Sequence, residues 1–288
     1  MKYNHFIVPP GKKISLKDYD SAYTGKYKSS DEAAVKLKKD IGRLAKLQDT
    51  LYAQNTQALL IIFQALDAAG KDSTIKHVMS GVNPQGTQVV SFKEPSPEER
   101  DHDYLWRNNK SLPERGRMGI FNRSYYEEVL VVRVHPELLS SQQLPGKARE
   151  QGIWKRRFDE INNFEHYLVQ NGIHVLKFFL NVAKEEQKRR FLARIETPEK
   201  NWKFSLGDVK EREFWDDYSR AFEDVFNHTS TKWAPWYIVP ADNKWFTHVA
   251  VAGLIISKLK SLKLSYPSPS EQHLKELSLA RDILAGEA

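Results

Sequence analysis

The residues best suited to chemistry lie together at Ala65-Leu66-Asp67-Ala68-Ala69-Gly70-Lys71-Asp72-Ser73. Small side chains at Ala68, Ala69 and Gly70 let backbone N–H groups approach the oxygens of a bound phosphate. Lys71 adds a full positive charge, and a helix opening at Ser73 adds the partial charge of its N-terminus. Such a set binds phosphate and offsets the charge of a phosphoryl group in transit. The two acids, Asp67 and Asp72, would repel the same anion. A divalent cation shared between carboxylate and phosphate removes that conflict, so magnesium, or manganese in its place, is expected at Asp67 and Asp72. The strict pattern G-x-x-x-x-G-K-[ST] is not met. Ala65 stands at its first glycine and Asp72 where a hydroxyl belongs.

A loop of this kind needs a strand to lead in and a helix to lead out. The lead-in is Ala58-Leu59-Leu60-Ile61-Ile62-Phe63, an unbroken apolar run that reads as a strand buried on both faces of a parallel sheet. Further strands are predicted over 87–92, 118–121, 174–180 and 236–239. Around and between them lie helices over 29–53, 155–168, 184–195, 207–226 and 245–262. The first is capped by Ser29 with Glu32 three residues on, and its apolar positions are Val35, Leu37, Ile41, Leu44, Leu47 and Leu51. Another, capped by Ser96-Pro97, would carry Tyr104, Leu105 and Trp106. Strands alternating with helices give an α/β fold, a three-layer α/β/α sandwich around a five-stranded parallel sheet. We read residues 1–288 as one domain with an N-terminal arm over 1–28, a lid over about 190–208 and a tail helix over 268–288.

Asn122 ends the third strand as Asp67 follows the first, at the sheet edge where open α/β folds bind ligands. Arg123 and Arg133 flank the helix expected after it. Arg190 and Arg194 share a helix face and run into the lid, so both are candidates to clamp phosphate. Lys155-Arg156-Arg157 is a weaker extension of the same basic track.

Asp67-x-x-Gly70-Lys71-Asp72 after an apolar strand resembles the variant phosphate loop of the family-2 polyphosphate kinases. Three more landmarks agree in order: Ile120-Phe121-Asn122-Arg123-Ser124, Pro198-Glu199-Lys200-Asn201-Trp202-Lys203-Phe204, and Ala234-Pro235-Trp236-Tyr237. Together they span roughly residues 5–266. The resemblance implies a P-loop kinase-like fold with a helical lid and phosphoryl transfer between inorganic polyphosphate and AMP or ADP. Asn122 stands where many members carry an acid, which looks like the class III branch and implies use of both nucleotides. On this reading Asp67, Lys71 and Arg123 are catalytic. Ala68, Ala69, Gly70, Asp72, Ser73, Asn122, Glu127 and Arg133 bind nucleotide or phosphate, and Arg190, Arg194 and Lys203 serve the polyphosphate and the lid. The bases expected are adenine and, in second place, guanine. A homo-oligomer, dimer or tetramer, is the expected assembly. An ATP-dependent nucleoside monophosphate kinase on the same fold, or a polyanion-binding module without activity, is the alternative.

Composition narrows the field. The chain carries 44 basic and 37 acidic residues, a formal charge of +7. That excess suits a polyanion, but aromatics are not interleaved with basic residues as in ribonucleoprotein motifs, so nucleic acid is not expected. With no cysteine, disulfides and thiolate metal sites are excluded. The nine histidines fall at no metal-ligand spacing and no G-x-S-x-G elbow occurs, which argues against zinc and hydrolase chemistry. No apolar run reaches the length of a membrane span, and the first residues lack the apolar core of a signal peptide; a cytoplasmic enzyme is expected.

Overall fold

The apolar run becomes strand β1, Ala58–Gln64, and all seven of its residues are buried. In this computed structural model, which describes residues 4–146 and 152–287, β1 lies at the centre of the sheet. The other strands are β2 (Thr87–Ser91), β3 (Met118–Asn122), β4 (Ile173–Asn181) and β5 (Trp236–Pro240). Their order is β2-β3-β1-β4-β5 and every pairing is parallel. Ile61 faces Ile120 of β3 on one side and Leu176 of β4 on the other. The longer helices are α1 (Ser30–Gln54), α2 (Lys71–Val78), α3 (Ile153–Gln170), α4 (Lys184–Ile195), α5 (Trp215–Thr229), α6 (Lys244–Ser261) and α7 (Glu271–Ala285).

Side chains alternate across a strand, so β1 feeds two cores. Leu59, Ile61 and Phe63 pack with Leu44 and Leu51 of α1 and Val249 of α6. Leu60 and Ile62 pack with Phe158 of α3 and Phe222 and Phe226 of α5. The result is the three-layer sandwich expected of this alternation. A charged pair sits inside the second layer: Lys177, on β4, and Glu165, on α3, are both fully buried. The Lys177 amine donates to Glu165 at 2.6 Å, the Tyr126 hydroxyl at 2.9 Å and the Thr229 carbonyl at 2.8 Å, which satisfies all three protons.

Local expectations fail where tertiary contacts intervene. Val35 of α1 faces solvent, while Asp40 and Gln48 are buried in its place; Gln48 accepts from the Asn83 amide at 3.1 Å. The Ser96 cap and its reciprocal Glu99 are present, but that helix is only Pro97–Arg100, and Trp106 begins a separate turn, Trp106–Asn109. The helix expected over 207–226 is three pieces, Leu206–Lys210, Glu211–Phe214 and α5. Its break comes where neighbouring side chains reach opposite ways. Glu211 accepts from His135 and Tyr218, while Arg212 donates back to the Lys184 carbonyl and Gln187.

The N-terminal arm runs beside β5, with the Val8 amide bonded to the Trp236 carbonyl at 2.9 Å. Its residues 1–3, like residue 288 of the tail, lie outside the described residues. Helix α7 is exposed along its whole length. Among the described residues no helix is long and apolar enough to cross a membrane.

Candidate active site

The phosphate loop joins β1 to α2 at the C-terminal edge of the sheet. Ala68 takes a left-handed backbone (φ +58°) and so does Gly70 (φ +109°), which caps α2. For Ala68 that conformation costs about 1 kcal/mol or more, because it has a Cβ. Helix α2 begins at Lys71, two residues earlier than its sequence suggests, which brings Lys71, Asp72 and Ser73 into the first turn. Arg123, just past β3, is left-handed as well (φ +64°), and its amide bonds to the Phe63 carbonyl at 3.0 Å.

These turns gather the side chains. The Lys71 amine folds back onto the Ala65 carbonyl at 2.9 Å. The Arg123 guanidinium lies 3.0 Å from Asp67 and 3.6 Å from Glu127. The Asn122 carboxamide donates to Asp72 at 2.8 Å. A neutral donor there holds a carboxylate that an acid would repel. Ser73 turns its hydroxyl toward His77 and His248, at 3.5 and 3.4 Å, whose rings stack 4.5 Å apart.

Charge is crowded here. Burial lowers the Lys71 amine's affinity for its proton, Arg123 adds to this, and Asp67, Glu127 and Asp72 oppose it. Burial pushes the Glu127 carboxyl up against the pull of Arg123 and Lys71. Asp208, on the lid side, is raised by burial and then by Asp67, with Arg194, Arg123 and Lys71 opposing. Four carboxylates (Asp67, Asp72, Glu127, Asp208) thus meet three cations (Lys71, Arg123, Arg194), with the Lys244 amine close by at Gly70.

The remaining expected residues divide. Arg194 faces Asp208 at 3.8 Å and lies over the Phe191 ring. Lys203 lies over Trp202, which is 78% exposed. Arg190 is not free to clamp a ligand: it is 6% exposed and its guanidinium is engaged by Glu186 and four backbone carbonyls. Arg133 is paired with Asp224 beside Asp217 and Arg220, in a small hollow of its own. Arg157 is likewise spent, on the Glu128 carbonyl and Gln142.

Two neighbours of the loop are not apparent in the sequence. Asp208 sits in a stretch that reads as ordinary helix. Lys244 places its Cε 4.0 Å from where a Cβ on Gly70 would stand. The only sequence signal for Lys244 is its place after β5, at the same sheet edge as Asp67 and Asn122. A cavity of about 800 Å³ opens beside this cluster, with Arg123 and Glu127 on its wall together with Lys93, Tyr104 and Arg107.

A parallel sheet whose central strand leads through a small-residue loop into a helix opening on a lysine, with paired acids beside it, defines a phosphotransferase of the P-loop kinase class. The model of the polyphosphate kinase 2 family matches residues 27–266, and the chain belongs to that family. It is 48% identical over 285 residues to an ADP-polyphosphate phosphotransferase of Rhodopseudomonas palustris, covering 99% of both chains. To an AMP/ADP-polyphosphate phosphotransferase of Meiothermus ruber it is 41% identical, covering 92% of this chain and 95% of that one. The crystal structure of polyphosphate kinase 2 from Arthrobacter aurescens superposes with a TM-score of 0.87 at 38% identity, over 96% of this chain and 95% of that one.

Proposed function

We propose that the chain transfers a phosphoryl group from inorganic polyphosphate to AMP and to ADP. The observation that carries this reading is the junction of two spaces at one cluster. Arg123 pairs with Asp67 of the phosphate loop and also lines a cavity large enough for a nucleoside. The acceptor's sugar and base would occupy that cavity, with its phosphate against Arg123. Adenine nucleotides are the first choice, guanine nucleotides the second. The names of the relatives support transfer to ADP in one case and to both nucleotides in the other.

The donor chain would run over the loop amides and Lys71, then out past Lys244, Arg194 and Lys203. Charge neutralisation and alignment of donor and acceptor phosphates are the work such a site can do. Lys71 would follow the transferring group, and Arg123 would hold the acceptor phosphate while Asp67 fixes the guanidinium.

Asp67 and Asp72 would hold magnesium, or manganese, jointly with phosphate oxygens. The donor set fits, since it is all oxygen, from carboxylates that face a phosphate-binding loop. Among the described residues no three His, Cys, Asp or Glu form a cage, and a cation that keeps water and phosphate ligands does not need one. When bound, the cation supplies positive charge to the bridging phosphates.

The donor is tested by measuring its KM against chain length and salt. Binding a polyanion along a basic track releases counterions, so donor KM should rise more steeply with salt than acceptor KM. It should also fall with chain length and then level off. A donor KM indifferent to both would remove polyphosphate from the reading.

A further inference from the structure

Helix α4 carries two buried polar side chains one turn apart, Gln187 (3% exposed) and Arg190 (6% exposed), and both point at the phosphate loop. The Gln187 carboxamide donates to the Asp67 carbonyl at 2.9 Å. One terminal nitrogen of Arg190 donates to the carbonyls of Ala68 at 3.0 Å and Ala69 at 2.8 Å. Its other terminal nitrogen reaches the carbonyls of Ala241 at 2.5 Å and Asp242 at 3.0 Å, in the turn between β5 and α6, and its Nε donates to Glu186 at 2.7 Å. All five guanidinium protons are therefore used.

We propose that Gln187 and Arg190 are positioning residues that set the phosphate loop by gripping three successive carbonyls. In a planar trans peptide the C=O and N–H point to opposite sides. Holding the carbonyls of Asp67, Ala68 and Ala69 against α4 therefore aims the amides of Ala68, Ala69 and Gly70 away from it. The Ala69 amide is spent on the Leu66 carbonyl at 3.3 Å, so the amides of Ala68 and Gly70 are the ones presented. The grip also holds Ala68 in its left-handed conformation, which its Cβ disfavours.

The same grip ties the loop to the lid. Helix α4 leads directly into Pro198–Lys203. Just after the lid, in the turn Glu211–Phe214, Arg212 donates to the carboxamide oxygen of Gln187 at 2.6 Å. Asp67, Gln187 and Arg212 thus form one chain of hydrogen bonds, through which a lid that moves would reset the loop amides.

This inference rests on the proposed reading of the loop as a phosphate cradle. The test uses inorganic tripolyphosphate with magnesium as probe, followed by calorimetry and by the rise in Tm, for the full chain and for Gln187→Met and Arg190→Lys. Met matches the length of Gln without its donor, and Lys keeps the charge of Arg without its fork. We expect each variant to weaken tripolyphosphate binding by about tenfold or more while AMP affinity stays within about twofold. A residue that only supports the fold would lower Tm and leave the tripolyphosphate Kd of the folded protein unchanged. A direct phosphate clamp at Arg190 would leave Gln187→Met at wild-type affinity. Either result overturns the proposal, and Gln187→Met alone suffices if Arg190→Lys does not fold. Failure of the unsubstituted chain to bind tripolyphosphate would instead refute the phosphate-cradle reading itself.

Discussion

Replacing Lys71 with methionine removes one positive charge and keeps the side chain's length up to its terminal nitrogen. In the fold the amine sits over the Ala65 carbonyl with Asp67, Asp72, Glu127 and Arg123 in electrostatic reach. Those four sum to two negative charges, so Lys71 leaves them at minus one and its loss leaves them at minus two. A unit charge about 4 Å from a transferring phosphoryl group interacts by roughly 4 kcal/mol at an effective dielectric near 20. At about 1.4 kcal/mol per tenfold in rate, turnover should fall by about 10³-fold. Stability should move the other way or not at all. The fold lowers this amine's proton affinity, meaning the folded environment disfavours the charge that methionine deletes. The assay pairs steady-state kcat with polyphosphate and AMP against Tm in the same buffer. Turnover above about a tenth of the unsubstituted rate, at unchanged Tm, would refute the argument, because the charge would then be dispensable where the electrostatics demand it.

Other outcomes follow from the same cluster. Activity should vanish in EDTA and return with magnesium or manganese, and Asp67→Asn should resist rescue by excess metal; full turnover in chelator would contradict the shared-cation reading. Asn122→Asp would set a carboxylate opposite Asp72, now 2.8 Å from the carboxamide nitrogen. It should shift the ratio of AMP to ADP turnover by about tenfold, or about 1.4 kcal/mol; an unchanged ratio in steady-state assays would count against a role in acceptor choice. His248 is nearly buried against His77, and burial, then His77 and Lys244, lowers its pKa to about 4. A base with a depressed folded pKa stabilises fully above its unfolded value of 6.5 and loses that contribution as pH falls toward 4. Between pH 7 and 4.5 the unsubstituted chain should therefore lose about 2–3 kcal/mol more in urea titrations than His248→Gln. Parallel losses would dismiss the histidine pair as a source of acid sensitivity.

The sequence discloses the scaffold better than the contacts on it. The apolar run 58–63 becomes the central strand because both of its faces are buried, whereas the edge strand Thr87–Ser91 is polar and mostly exposed. Lys184–Ile195 is legible to the residue, since Pro198 and the turn before it bound the helix. Arg190 shows the limit. Its i,i+4 relation to Arg194 reads as a pair of phosphate clamps leading into the lid, yet Arg190 turns inward, where backbone carbonyls of two distant loops engage it. No side-chain pattern announces a carbonyl as a partner, so Gln187 is equally silent. Asp208 and Lys244 approach the loop only through the sheet's crossovers. At the break, Glu211 is held by His135 and Arg212 by Gln187, partners that local helix propensity cannot register.

The central claim is that this cluster passes a phosphoryl group from polyphosphate to a nucleotide. Purified chain incubated with AMP, long-chain polyphosphate and magnesium, with no ATP present, tests it most directly by phosphorus NMR. The account predicts that ADP and then ATP accumulate as polyphosphate ends are consumed, and that Lys71→Met abolishes both. An AMP resonance that stays constant under these conditions, but is phosphorylated once ATP is added, would contradict the account and make the chain an ordinary nucleotide kinase.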